Sequence, residues 1–303
     1  MDLATPVLLL GLALAVLIGV SLGLLGGGGS ILTVPILVYA LGLETHVAIA
    51  TSLLVVGATS LAALIPHARA GRVRWRTGVL FGATSMVGAF AAGRVAHYIP
   101  GVVLLLAFGA MMVVTAIAMM RKGKKSPREA PKDAEIAYGK IVLEGFVVGA
   151  VTGLVGAGGG FLVVPALVLL GGVPMREAVG TSLLVIAMKS AAAFFGHATT
   201  VEIDYALAGM VTGAAIVGSF IGAAAAGRVP QDLLRRGFAW FVVVMAVFLL
   251  AQELPRAFGY DVSLAVDWPW IVGLLVLPVI GGITDLVRMS SKNAPTLQPS
   301  SST

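Results

Sequence analysis

Apolar runs of about 17 to 25 residues follow one another along nearly all of the 303-residue chain, and each is long enough to cross a hydrocarbon layer as a helix. Backbone groups in lipid have no water to bond to, so such runs become helices whose N–H and C=O groups pair internally. Composition agrees: 58% of residues are hydrophobic and 11% are charged, whereas soluble domains carry about 25% charged residues. The chain therefore reads as an all-α polytopic membrane protein.

There are no cysteines, which excludes disulfides and thiolate metal sites. The four histidines, at 46, 67, 97 and 197, show no metal-ligand spacing, so neither metal nor cofactor is expected. The formal charge of +6 is assigned to orienting loops about a bilayer, and no nucleic acid is expected as a partner. The start, MDLATP, lacks a basic n-region and a cleavage site, so the first apolar run is read as an uncleaved helix.

Sliding the sequence by 130 residues exposes an internal duplication. GLLGGGGSILTVPILV, from Gly23, lies without a gap on GLVGAGGGFLVVPALV, from Gly153, and residues 23–67 share 21 of 45 identities with 153–197. Pro35/Pro165, Ser60/Ser190 and His67/His197 match across it. Apolar runs and their breakers place helical segments at 6–26, 30–42, 47–66, 77–94 and 101–120, then at 141–156, 160–171, 177–196, 206–224 and 237–252, with a last one at 270–286. Segments 30–42 and 160–171 are short for a full span, and either crossing or re-entry is compatible with them.

An odd number of crossings per repeat turns the second repeat upside down. The loop HARAGRVRWR carries Arg69, Arg72, Arg74 and Arg76, whereas its counterpart HATTVEIDY carries Glu202 and Asp204 and no Lys or Arg. With the arginine loop in the cytoplasm, 17 Lys/Arg fall inside and two, Arg94 and Arg256, fall outside. The expected plan is a first transmembrane repeat at 1–120, a basic cytoplasmic linker at 121–140, and an inverted second repeat at 141–252. An extra C-terminal helix and cytoplasmic tail at 253–303 complete it, with the N-terminus outside.

Two glycine runs interrupt apolar stretches at equivalent places: Gly26, Gly27, Gly28, Gly29 and Ser30, and Gly156, Ala157, Gly158, Gly159 and Gly160. Breaking a helix in lipid is costly unless the freed backbone groups find partners or a wet cavity, so a substrate site is the reading favoured over close packing of small residues. The helix that follows each run points its positive dipole end at the break, which suits an anion. Thr51, Ser52, Thr181 and Ser182 open the third helix of each repeat and supply hydroxyls, either as substrate contacts or as caps. Lys189 is the charge placed deep in a span, where ionisable groups are expensive and point to function. His67 and His197 end the third helices on opposite faces as candidates for proton coupling. The acidic residues fall almost wholly in loops or at helix ends, leaving no catalytic set, so an enzyme is not expected.

With these paired motifs, each followed by TSLL, the chain resembles the sulfite exporter TauE/SafE family, also called the toluene sulfonate uptake permease family, over roughly residues 7–252. The resemblance implies a bacterial or archaeal plasma-membrane permease for sulfur-containing anions such as sulfite, sulfoacetate or other organosulfonates. The long basic linker and the extra C-terminal helix depart from the compact family pattern. The expected partners are a small anionic substrate and the lipid bilayer, with a homo-oligomer left open. The expected mechanism is secondary-active alternating access, since no ATP-binding motif occurs. The rival readings are a carrier of another solute with the same architecture and a non-transporting assembly component.

Overall fold

Each apolar run becomes a helix whose ends are set by local chemistry. The computed structural model describes residues 5–121, 138–155, 160–197 and 201–258, and every regular element among them is helical. Helix α1 (Thr5–Leu25) meets the glycine run, which winds into a tight 3₁₀ turn (Gly26–Gly29) before α2 (Ser30–Pro35) and a wider π turn (Ile36–Ala40). Then follow α3 (Thr45–Arg69), α4 (Trp75–Ala96), α5 (Gly101–Arg121) and α6 (Tyr138–Val155). The second half continues with α7 (Gly160–Pro165) and its own π turn (Ala166–Leu170), α8 (Met175–His197), α9 (Tyr205–Ala226) and α10 (Gln231–Ala257). Gly156, Gly158 and Gly159, most of the linker, and the helix expected at 270–286 with its tail lie outside the described residues. Seven of the described helices are long and apolar enough to cross a membrane.

The short segments end alike in both halves. Leu43 N–H donates to Leu37 O at 3.0 Å and Leu41 N–H to Ile36 O at 3.1 Å; Val173 N–H donates to Leu167 O at 2.9 Å and Gly171 N–H to Ala166 O at 3.0 Å. Gly42 and Gly172, 130 residues apart, both turn the chain at positive φ. The duplication thus reaches down to individual backbone bonds.

Acidic side chains cap two helices. Glu44 accepts from the N–H of His46 and Val47 at the start of α3, and Asp204 accepts from Ala206 and Leu207 at the start of α9, all between 2.9 and 3.2 Å. Asp204→Ala should lower the unfolding free energy by about 1 kcal/mol, as measured by denaturation in detergent.

Two helices run further than the sequence suggests. Helix α3 continues through Pro66 to Arg69, although Pro66 has no N–H to bond one turn back. Helix α10 begins right after Pro230 and continues to Ala257, gaining six residues at its start and five at its end over the expected 237–252. Asp232, Arg235 and Arg236 look like loop charges in the sequence, but Asp232 favours a first helical turn, and it pairs with Arg235 at 3.7 Å.

Packing exchanges helices between the halves. The first helix of each packs along the fourth of the other, α1 on α9 and α6 on α4, while α3 meets α8 and α5 meets α10. Small residues allow backbone-close approach and reveal direction. Gly19 lies against Ala215 and Ser219, and Gly23 against Ser219 and Ala223, so α1 and α9 run parallel. Gly145, Gly149 and Gly153 lie against Phe81 and Thr84, Ser85 and Ala89, so α4 and α6 run parallel. Gly78 meets Thr181 and Leu184 and Gly93 meets His197, so α4 and α8 also run parallel. A large apolar core that includes Phe108, Phe161 and Phe238 fills the space between α5, α7 and α10.

Candidate functional site

The first glycine run meets the start of α7. A leading residue of the run, Gly27, lies against Gly160, so closely that a Cβ on Gly27 would overlap the Gly160 carbonyl and one on Gly160 would overlap Gly27. Gly26 adopts φ +63°, which an L side chain rarely takes, and it packs against Ser182 and Val179 of α8. The Gly27 N–H donates to Ser182 Oγ at 3.3 Å across the two halves of the chain, and Ser182 Oγ donates to Val179 O at 2.8 Å. Ser30 Oγ donates back to Gly27 O at 2.7 Å. Gly26, Gly27, Ser30, Gly160 and Ser182 therefore form one buried cluster from four elements.

Other expected residues fall around it. Ser52 makes the same local bond as its mate Ser182, donating to Ile49 O at 2.7 Å, and both are fully buried. Thr51 is buried on α3. Thr181 accepts the Arg74 N–H at 2.9 Å and so pins the loop after α3 to α8, helped by the ion pair of Arg74 with Glu177. His67 bonds through Nε2 to Gly23 O at 2.9 Å, one turn before the first break, whereas His197 bonds through Nδ1 to Ala193 O of its own helix at 3.1 Å.

Lys189 is buried, and Nζ donates to Thr152 Oγ1 of α6 at 3.1 Å. On α8, Ser182, Ile186 and Lys189 follow a spacing of four and three, which places them on one face. Ile186 touches Gly160, so this face looks onto the break, with Lys189 about 10 Å further along the axis from Ser182.

The structure adds groups to which the sequence reading assigned no role. Thr33, Thr59, Ser60 and Ser190 carry buried hydroxyls with no partner among the described residues, and Gly57 approaches Ser190 where α3 and α8 cross. Their signal in the sequence was the exact match of Ser60 with Ser190. Glu253, near the end of α10, is 1% exposed. It accepts from Tyr39 Oη at 2.6 Å and from Arg256 Nη1 at 3.2 Å, so its charge is paired. The neighbouring Gln252 is fully buried, and neither amide atom has a partner among the described residues.

Residues 11–249 match the family described as Sulfite exporter TauE/SafE. The chain belongs to the TauE/SafE family. It is 35% identical over 238 residues to a "Probable membrane transporter protein" of Xylella fastidiosa (strain 9a5c), covering 77% of this chain and 91% of that one. It is 25% identical over 236 residues to "Probable membrane transporter protein YdhB" of Bacillus subtilis, covering 77% and 96%. It is 30% identical over 201 residues to "Probable membrane transporter protein MJ0441" of Methanocaldococcus jannaschii, covering 63% and 74%. No solved structure matches the chain. This TauE/SafE-family protein is a multi-pass membrane transporter for a small-molecule substrate and not an enzyme.

Proposed function

We propose that the protein is a secondary-active permease that moves sulfur-containing anions, namely sulfite, sulfoacetate or related organosulfonates, by alternating access at the paired breaks. The observation that carries this reading is the Gly27–Gly160 approach, with Ser182 accepting the Gly27 N–H and the Lys189 face of α8 beside it. Both breaks sit in apolar helices, where irregular backbone is tolerated if it lines a cavity or is buried in protein. Transporters built from inverted repeats commonly bind substrate at such broken helices. Residues Gly26 to Ser30, Gly156 to Gly160, Thr51, Ser52, Thr181 and Ser182 are the proposed lining, and Lys189 supplies the positive charge.

The reading includes two repeats, 1–120 and 141–252, inverted about the linker 121–140. Helix directions support it. Consecutive spans α3 and α4, joined by residues 70–74, must cross the bilayer in opposite senses, and α4 runs parallel to α8. The third helices of the two repeats, α3 and α8, therefore run in opposite directions. The arginine loop then faces the cytoplasm, which puts the N-terminus outside and the C-terminus inside. Because the chain has no cysteine, Arg69→Cys and Glu202→Cys give clean single labels. An impermeant thiol reagent should reach position 69 only from the cytoplasmic side and position 202 only from the other; labelling of both from one side would refute inversion.

Transport itself is tested by uptake and counterflow in proteoliposomes with labelled sulfite, sulfoacetate, sulfate and carboxylates. Saturable flux of a sulfur anion is expected. A folded protein that moves none of them overturns the substrate class.

A further inference from the structure

Beside the first glycine turn, on the face where α3 ends, His67, Arg72, Arg176, Val179, Ala226 and Leu234 surround a narrow recess that is closed to water in this conformation. The ionisable residues around it are all basic. Glu177, the acid next to Arg176 in the chain, is engaged by Arg74. Arg176 uses Nη2 to donate to Val229 O at 3.0 Å, which fixes the guanidinium, while its buried Nε has no partner among the described residues. His67 is 1% exposed, and with Nε2 on the Gly23 carbonyl its buried Nδ1 has no partner either. Arg72 makes no side-chain hydrogen bond or ion pair among the described residues, and its guanidinium reaches Gly227 at the end of α9.

A recess of this kind is short of negative charge. Leaving buried donors unmade is costly, and two guanidinium groups beside one another repel unless an anion joins them. We infer that Arg72, Arg176 and His67 form a separate binding site for a small oxyanion at the mouth of the pathway, an inference that rests on the anion-permease reading. The guanidinium groups suit the oxygens of a sulfite or sulfonate group. Nδ1 of His67 accepts the acid proton of a protonated oxyanion or, once protonated, donates to a bare one. Admitting the ion takes rotamer changes in the two long, half-exposed arginines.

The position connects the recess to the break. Val179 lines the recess and also touches Gly26, and His67 holds Gly23, three residues before the turn. The site is one-sided. At the equivalent positions of the other repeat, 130 residues away, Arg72 is replaced by Glu202 and Arg176 by His46, while His67 is kept as His197. An anion is thus held at the face carrying Arg72 and has no matching site at the other, which makes the two directions of transport kinetically unequal.

The test is flux of labelled sulfite and sulfoacetate in oriented proteoliposomes, with substrate presented to each face in turn. Arg72→Gln and Arg176→Gln should each raise the half-saturating concentration about tenfold from the arginine face and change it less than twofold from the other. Intact flux with unchanged half-saturation at both faces overturns the inference and leaves the permease reading standing. Failure of the unaltered protein to move either anion overturns the permease reading and the inference with it. If the variants do not fold, phenylglyoxal modification of the unaltered protein decides, read by mass spectrometry. Sulfoacetate should slow modification at Arg72 several-fold, and an equal rate with and without it overturns the inference.

Discussion

Gly27→Ala should cut transport at least tenfold while the protein still inserts, and Gly27→Leu should abolish it. A single methyl group at this position overlaps the Gly160 carbonyl, and backbone atoms cannot swing aside as a flexible side chain can. Relief requires the two breaks to separate, which removes the Gly27 to Ser182 bond and shifts Ser182 relative to the glycine turn. Overpacking of this kind costs about 1–3 kcal/mol in stability, so the alanine variant remains foldable. Gly209 provides the matched control. It lies exposed on α9, where no atom of the described residues comes within 4 Å of an added Cβ, and Gly209→Leu should transport like the unaltered protein. Proteoliposome uptake at equal protein density measures both.

Lys189→Met should produce the opposite signs in two assays: loss of transport by about two orders of magnitude and a gain in thermal stability. The ammonium is buried, and Thr152, its hydrogen-bond partner among the described residues, is a neutral hydroxyl. A charge taken out of water without a counter-charge destabilises the fold, and methionine fills a similar volume without that cost. A gain of about 1–3 kcal/mol fits what removal of such groups gives. Natural chains retain a costly buried charge where activity needs it, and the position in the first repeat, Thr59, shows that the helix packs well without one. If Lys189 were only structural, the methionine variant would keep its flux. If it serves the substrate, flux falls while the melting temperature rises.

Much of this was legible in the residues. Apolar runs and their breakers located the ten described segments, because in lipid a helix needs only length and hydrophobicity, and the glycine run after α1 marked the first break. What the sequence could not supply was contact across long separation. The bond from Gly27 to Ser182 joins residues 155 apart, and nothing local to either predicts it. Thr181 looked equal to Ser182 as a ligand, yet it holds the Arg74 backbone, a partner brought in by the exchange of helices between halves. Thr33 and Thr59 are ordinary residues in membrane helices by composition, and only burial without partners among the described residues singles them out. Arg72 read as a topological anchor because loop arginines usually are, and its place over a basic recess depends on how α8 and α9 pack. The ends of α10 were missed because charges there pair within the helix and with Tyr39.

The central claim, that substrate passes between the two breaks, is tested most directly with single cysteines at Ser30 and Ser182 in this cysteine-free chain. Both side chains are fully buried in the cluster, so reagent reaches them only through a pathway that opens. The probe is an impermeant, sulfonate-bearing methanethiosulfonate applied from either face of proteoliposomes. The account predicts modification of both positions from each side during turnover, block of transport by the adduct, and slower modification when sulfoacetate is present. Modification that leaves flux unchanged, or no modification from either side in a protein that is transporting, would contradict it.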